Sequence, residues 1–444
     1  MFHTIKDIEK YLEKFIYNNK LSLSPGDGSI MRTKEFLRLL GSPQNKLKVI
    51  HTAGTSGKGS TSFMISSFLI SHGFKVGLHL SPHLLDIRER TEIDNKLIEE
   101  KKYIQYFEEI IPAVEIMRDS SFGKLTYFEL MVAFVFYVFV KEKVDYAVVE
   151  VGMGGRYDGT NVVDRSDKLA VISKIGFDHV KALGNTLSKI AYHKGMICPE
   201  KGEMISIYQI SSVEKELTAI AHRKKSQLYF VKKTSIKKIY FENGKTKFTF
   251  TWDNNEYKDI GIGLLGFHQA QNAALALATI FHLGTRDGFV VDIQKIRTVS
   301  ENLRFKGRMD VISNNNHLMI LDGAHNVQKM KAFLSTIKKI YPDKKFTFVI
   351  AFKHGKEYMK MVRQMIPFAS KIIATTIFSD NPDFGYLSTK AEEIRDALKR
   401  SEFDNVVIVK TKSDVKNVVK NSKEDIIATG SLYLISDLYA LLNI

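Results

Sequence analysis

The stretch "LKVIHTAGTSGKGSTSFMISSFLISHG", residues 47–73, limits what this chain can fold into more than any other. An apolar run reads as a buried strand, passes directly into a glycine-rich loop, and continues as a helical segment that stops at Gly73. The order strand, glycine loop, helix is that of a phosphate-binding turn, with one irregularity. The usual pattern ends Gly-Lys-Ser or Gly-Lys-Thr, and here Gly59 separates Lys58 from Ser60. A plain glycine turn, a broken nucleotide site and a different form of nucleotide site all remain open on this stretch alone.

The rest of the chain repeats the alternation. "KVGLHLS", "VDYAVVEVG" and "LAVISKIG" read as strands, and "YFELMVAFVFYVFVKEK" reads as a buried helix. A further helix is predicted from about Thr186 to Met196, and another over "HQAQNAALALATIFHLG". Strands alternating with helices imply a parallel, doubly wound α/β sheet. "IKKIYFENGKTKFTFTW" differs, because period-two alternation around Asn243-Gly244 signals a β-hairpin. Near residue 297 the alternation restarts. "MDVISNNNHLMILDG" suggests two strands around a turn, and "FTFVIAF", "KIIATT", "VVIVK" and "DIIATG" are short strands with helical stretches such as "TKAEEIRDALKR". At 444 residues two domains are expected: 1–296, a doubly wound domain with a P-loop-type turn, and 297–444, a smaller Rossmann-like α/β domain.

Composition narrows the function classes. The net charge of +16 raises a nucleic-acid reading, but the lysines are scattered and no long basic arm exists. A lysine-rich solvated surface accounts for them, and it favours anionic small substrates. The one cysteine, Cys198, excludes an intrachain disulfide and a cysteine-based zinc site, and fits a reducing cytoplasm. Phe2, Ile5, Ile8, Leu12 and Phe15 fall on one helical stripe whose acidic residues argue against a targeting peptide. The apolar runs are too short to span a bilayer.

Several residues have chemistry to offer. Backbone N–H groups and the helix dipole of the glycine loop can hold phosphate. Gly54, Gly57 and Gly59 permit a tight path, Lys58 can reach a terminal phosphate, and Ser60 or Thr61 can offer a hydroxyl to Mg²⁺. Glu150 stands at the carboxyl end of a predicted strand, where ligands bind in open α/β sheets, and hard cations prefer oxygen. A salt bridge at the sheet edge is the plainer account of it. Asp178-His179 follow another predicted strand, although a lone histidine is usually structural. Lys194 reads as an ordinary surface lysine. "ILDGAHN" places Asp322, His325 and Asn326 just past a strand, and Arg308 in "RFKGR" lies near the domain junction. Together they suggest a second set of polar groups facing a cleft.

Taken in order, these blocks resemble the Mur ligase superfamily, specifically its folylpolyglutamate synthase/dihydrofolate synthase branch. "HTAGTSGKGST" is similar to that family's loop, in which the extra glycine is normal. "SPHLLDIRER", "YFELMVAFVF", "VEVGMGGRYDGTN", "DHVKALG", "HQAQNAALALA", "LDGAHN" and "GSLYL" each resemble a family block. The resemblance implies an ATP-dependent ligase that adds L-glutamate to a folate-type carboxylate, dihydropteroate or tetrahydrofolate polyglutamate, through an acyl phosphate. It implies that Gly54, Thr55, Ser56, Gly57, Lys58, Gly59, Ser60 and Thr61 form the ATP phosphate loop, with Asn272, Arg308 and Asp322 as further nucleotide contacts. Ser60, Ser81 and Glu150 would hold one Mg²⁺, and Glu150, His179 and a carbamylated Lys194 a second. Carbamylation turns a cation that would repel Mg²⁺ into a carboxylate-like ligand. His325 and Ser431 would lie near the incoming glutamate, and Thr126, Phe128 and Asp158 would line the pterin pocket. Lys58, His179, Lys194, Arg308 and His325 are the implied catalytic set. The resemblance also implies a cytoplasmic monomer with small-molecule partners only, free of nucleic acid and membrane, whose two domains close on a cleft.

The chain departs from the family pattern in places. Ser56 replaces an asparagine, "RFKGR" replaces Trp-Pro-Gly-Arg while keeping Arg308, and "FKHGKEY" lacks a frequent Lys-Asp pair. Two rivals stay in view. A Mur-type ligase acting on another carboxylate, such as a cell-wall precursor, would keep the ATP and Mg²⁺ residues. A basic nucleotide switch or nucleic-acid binder would not need His179, Lys194, Asp322 or His325.

Overall fold

The computed structural model describes residues 1–16, 27–314, 317–378 and 388–444. The chain divides into two compact units: 1–239 with 247–261 and 270–302, and 303–444 with 240–246 and 262–269.

The first unit is built on a seven-stranded sheet. Its strands are β1 (Lys48–Ala53), β2 (Val76–His79), β3 (Glu92–Ile93), β4 (Tyr146–Glu150), β5 (Leu169–Ile172), β6 (Glu203–Ile207) and β7 (Gln227–Val231), in the order β3-β2-β4-β1-β5-β6-β7. All neighbours are parallel except the short edge strand β3, which runs antiparallel to β2. β2, β4 and β5 are buried along their whole length, as apolar runs covered by helices should be. The chain leaves β1, places β2 and β4 on one side of it, then crosses to β5 on the other. β1 is therefore the topological switch point, and the loop at its carboxyl end lies where open α/β sheets bind ligands.

The helices follow the sequence closely. Lys58–Ser71 begins at Gly57 and stops before Gly73, whose φ is +90°. Tyr127–Lys141 is apolar nearly all round and almost wholly buried. Its start is fixed by a capping box, in which the Thr126 hydroxyl accepts from the Glu129 N–H and the Glu129 carboxylate accepts from the Thr126 N–H. The predicted N-terminal stripe forms Ile5–Leu12, whose Ile8 and Leu12 are buried in the same cluster as Phe107 and Phe134. Leu187–Gly195 is capped by Thr186 and packs with Ser211–Arg223 in a second cluster.

The hairpin predicted around Asn243-Gly244 is β8 (Ile236–Glu242) and β9 (Lys245–Trp252). A strand absent from the sequence reading, β10 (Asn255–Ile262), extends it to three strands in the order β10-β9-β8. Residues of this sheet are divided between the two units.

The second unit carries a six-stranded sheet of β11 (Asp310–Asn314), β12 (His317–Asp322), β13 (Phe346–Ile350), β14 (Ala369–Ala374), β15 (Val406–Ile408) and β16 (Ile426–Thr429). Its order is β11-β12-β16-β13-β14-β15, parallel except for β11 at the edge. The turn expected between β11 and β12 lies outside the described residues. Among the described residues no helix is long and apolar enough to cross a membrane.

Candidate active site

The glycine loop is locked from below by β5 and the residues after it. The N–H groups of Thr55 and Ser56 both donate to the Lys174 carbonyl, at 2.9 and 3.1 Å. The Thr55 hydroxyl donates to the Gly176 carbonyl and accepts from the Gly176 N–H. Two glycines are required by space. A Cβ on Gly54 would lie 1.9 Å from the Ser173 hydroxyl oxygen, and one on Gly57 would lie 2.1 Å from the Asn272 amide oxygen. Gly57 is the N-cap of Lys58–Ser71, and no side chain caps that helix. The amides of Lys58, Gly59 and Ser60 therefore have no partner within the helix, and that end is a ready anion site. Gly59 lies inside the first helical turn, so the extra glycine lengthens the helix and leaves the loop intact.

Three further segments converge here. The Lys58 ammonium lies 3.5 Å from the Glu150 carboxylate at the end of β4. The other Glu150 oxygen accepts from the Ser81 N–H at 3.3 Å. The Ser81 hydroxyl is buried with no hydrogen-bond partner, as are the hydroxyls of Ser56 and Thr61. Buried hydroxyls in that state cost stability unless a ligand satisfies them. Lys194 is buried, and its ammonium donates to the Gly54 carbonyl at 2.8 Å across a sequence separation of 140. The sequence alone made it a surface lysine; the fold turns it inward onto the loop.

The remaining positions are placed as follows. β5 ends at Ile172, so Asp178-His179 lie on an irregular segment well beyond it. His179 has φ +49°, its side chain is 45% exposed, and its ring lies 3.9 Å from Asp178. Asp158 is spoken for internally. Its oxygens accept from the Met153 N–H, the Thr160 N–H and the Thr160 hydroxyl, and burial raises its pKa. Phe128 packs on that same loop, since a Cβ on Gly152 would meet its ring at 2.5 Å. Thr126 serves as the helix cap already described. Asn272 is buried beside Gly57.

In the second unit, Asp322 is buried at the end of β12 and accepts from the N–H groups of Met309 and Ala324. Burial pushes its carboxyl up to about 6 despite the opposing Arg308 guanidinium. Arg308 lies over the Phe305 ring and donates weakly to the Gly307 carbonyl. His325 bonds through Nδ1 to the Gly323 carbonyl, which makes Nδ1 the protonated nitrogen and leaves Nε2 to accept from Lys329 at 3.1 Å. Ser431 is the buried N-cap of Leu432–Leu442.

Sequence reasoning missed the support beneath Ser81. Arg90 is fully buried. Its Nε donates to His83 Nδ1 at 2.8 Å, its plane lies over Tyr127, and its carbonyl bonds His79 Nδ1. The Glu89 carboxylate accepts from the N–H groups of Leu84, Leu85 and Asp86. The block "SPHLLDIRER" was visible in the sequence, but only its first residue was singled out.

Comparison with known proteins gives the family and the fold. The Mur ligase middle domain family matches residues 52–280, and the dihydrofolate synthetase C-terminal domain family matches residues 306–441. A "Dihydrofolate synthase/folylpolyglutamate synthase" of Bacillus subtilis is 30% identical over 99% of both chains. The chain belongs to the folylpolyglutamate synthase/dihydrofolate synthase branch of the Mur ligases. Solved members of that branch share its fold. Mycobacterium tuberculosis folylpolyglutamate synthase complexed with ADP and AMPPCP superposes with a TM-score of 0.86, at 26% identity, over 99% of this chain and 98% of that one. A folylpolyglutamate synthase complex with AMPPCP and folate gives a TM-score of 0.82, at 25% identity, over 99% of this chain and 100% of that one.

Among the described residues no three His, Cys, Asp or Glu side chains cluster as a metal site. The donors at the loop of this Mur ligase are one carboxylate, Glu150, and the unpartnered Ser81 hydroxyl. That set suits Mg²⁺, which keeps waters and takes phosphate oxygens alongside one or two carboxylates.

Proposed function

We propose that this chain is an ATP-dependent ligase that joins L-glutamate to a folate-type carboxylate, dihydropteroate and/or a tetrahydrofolate polyglutamate, through an acyl phosphate. The observation that carries the reading is the convergence of Lys58, Glu150, Ser81 and Lys194 on one glycine loop. A plain structural turn would need none of them.

The chemistry follows from the groups present. A carboxylate acylates poorly because its leaving oxygen is a bad one. Its oxygen attacks the γ-phosphorus of ATP, the bond to the ADP oxygen breaks, and an acyl phosphate forms. The glutamate nitrogen then attacks the acyl carbon, phosphate leaves, and the nitrogen loses a proton. The amides of residues 58–60 and the Lys58 ammonium bind the phosphates and hold them in line. Mg²⁺, when bound through Ser60, Ser81 and Glu150 and at a second position through Glu150, His179 and Lys194, supplies neutralisation of phosphate charge. Carbamylation of Lys194 would exchange a donor facing the loop for an acceptor suited to that role. In the second unit, Arg308 and Asp322 are the proposed nucleotide contacts, and His325 and Ser431 the glutamate contacts. Thr126, Phe128 and Asp158 shape the proposed pterin pocket, Asp158 by holding the Met153–Thr160 loop. The chain is proposed to act as a cytoplasmic monomer.

The test is phosphate release from ATP with Mg²⁺ and L-glutamate, with dihydropteroate, tetrahydrofolate or no acceptor. Stimulation by dihydropteroate gives dihydrofolate synthesis, and stimulation by both acceptors gives a bifunctional enzyme. Stimulation by neither, in protein that binds ATP, rejects the folate assignment and favours a Mur-type ligase with another carboxylate.

A further inference from the structure

The first residue of "HTAGTSGKGST" has no part in the chemistry above. His51 stands inside β1, three residues before Gly54, and is fully buried. Its Nε2 lies 2.8 Å from the Thr160 hydroxyl, and that hydroxyl donates to Asp158 Oδ1 at 2.5 Å. A hydroxyl has one proton to give. With that proton on Asp158, the Thr160 oxygen accepts from His51, so Nε2 carries the ring N–H. Burial, with Lys168 and His79 close by, drives the His51 pKa far below its ordinary value, so the ring is neutral and Nδ1 is bare. Nδ1 is buried with no hydrogen-bond partner among the described residues. A bare buried nitrogen costs stability, and an apolar side chain would fill the same place without that cost. Packing alone therefore does not account for a histidine here, whereas the bond to Thr160 does.

The bond reaches a loop with a demanding shape. Asp158 sits at its centre, accepting from the Met153 and Thr160 N–H groups, while its own carbonyl accepts from the Asn161 N–H at 2.8 Å. The Phe128 ring lies against the loop on both sides of that aspartate. A Cβ on Gly152 would meet the ring at 2.5 Å, and one on Gly159 would meet it at 3.5 Å. The direction of the Asp158 carboxylate and the seat of Phe128 thus depend on the same few residues. His51 touches them from the strand that also leads into the phosphate loop. Without a donor at Nε2, the Thr160 hydroxyl is free to turn, and the carboxylate loses one of the donors that aim it.

We propose that His51 is a positioning residue for the acceptor pocket: its Nε2–H holds the Thr160 hydroxyl so that the hydroxyl proton stays on Asp158, which fixes the loop against Phe128. The inference rests on the ligase reading, in which this loop shapes the pterin site. It adds a buried residue that acts on the pocket through Thr160.

The experiment uses two pairs of variants. A glutamine amide can place an N–H where the imidazole Nε2–H lies, and the shorter asparagine cannot, so His51→Gln is set against His51→Asn. Thr160→Ser keeps the hydroxyl and Thr160→Val removes it at nearly constant shape. KM is measured for the folate acceptor, ATP and L-glutamate, with a thermal melt to confirm folding. The expected result is an acceptor KM raised ten-fold or more in His51→Asn and Thr160→Val, within three-fold of wild type in His51→Gln and Thr160→Ser, and ATP and glutamate KM within two-fold throughout. His51→Asn/Thr160→Val should be no worse than the weaker single variant, because both changes break one chain. An unchanged acceptor KM in folded His51→Asn overturns the inference, as does an equal loss in His51→Gln. A rise in ATP KM as large as that for the acceptor also overturns it, since it would make His51 a support of the phosphate loop. If His51→Asn does not fold, the second pair decides, and equal acceptor KM in Thr160→Val and Thr160→Ser overturns the inference. A wild type inert with every folate acceptor overturns the ligase reading and this inference together, whereas an active wild type with an indifferent His51→Asn overturns this inference only.

Discussion

Gly57→Ala tests the loop at the point where its geometry is tightest. Gly57 has φ +91°, so an L-residue there is strained by about 1–2 kcal/mol. The added methyl also falls 2.1 Å from the Asn272 amide oxygen and 2.9 Å from its Cγ. A flexible side chain can turn away, but Asn272 is buried, and displacing a buried amide from its partners costs about 1–3 kcal/mol. The two contributions together come to roughly 2–5 kcal/mol. They can be separated. In Gly57→Ala/Asn272→Ala the obstructing amide is gone and, beyond the loss from Asn272→Ala itself, only the backbone strain remains, so the double variant should be more stable than the sum of the single losses predicts by the displacement contribution, about 1–3 kcal/mol. Urea unfolding of the four proteins measures the cycle, and ATP affinity measures its effect on the loop. A Gly57→Ala protein with an unchanged midpoint, or strictly additive losses, would refute the steric argument.

Three other outcomes follow from the site. Lys194→Ala should abolish turnover while leaving the melting temperature within a few degrees, and full activity in that variant would reject both the carbamate and its placement on Gly54. Asp322 has a folded pKa of about 6, above its ordinary value of 3.8. The folded state therefore binds more protons than the unfolded one from about pH 4 to pH 6, and stability falls as pH rises through that window. Asp322→Asn should flatten that slope, and urea midpoints at pH 4.5 and 7 would show an unaltered slope if the reasoning is wrong. Arg90→Met should leave ATP binding intact but raise the Mg²⁺ concentration for half-maximal activity several-fold, because the Ser81 segment loses its anchor through His83. An unchanged Mg²⁺ dependence would mean the segment is held by the Glu89 contacts alone.

The elements with strong local signals were legible in the sequence. The strand, loop and helix around Gly57, the apolar helix Tyr127–Lys141 and the hairpin at Asn243-Gly244 each follow from their apolar runs or turn chemistry. What stayed hidden depended on contacts between distant residues. β10 has too few apolar positions to stand out, and its pattern of exposed and buried residues makes sense only against β9. Lys194 reads as a solvated lysine until the helix carrying it is folded against the loop. Asp158 looked like a substrate ligand, yet two of its donors lie two residues away on Thr160, a local bond that sequence proximity permits but does not announce. Arg90 escaped notice because its guanidinium meets a histidine nitrogen and a tyrosine ring, where a carboxylate would be sought first.

The hydrogen bond from Lys194 to Gly54 also bears on how the protein is made. The loop is tied to Lys174 and Gly176, to Glu150 by way of Lys58, and to Lys194, so its final shape waits on segments translated about a hundred residues or more later. Contacts of such sequence separation are slow to form. The nascent chain would carry an apolar strand and a glycine loop with nothing to close them until β5 and the helix after it emerge. A nucleotide that needs the closed loop would act on this chain as a folding ligand, drawing the late contacts to completion by mass action.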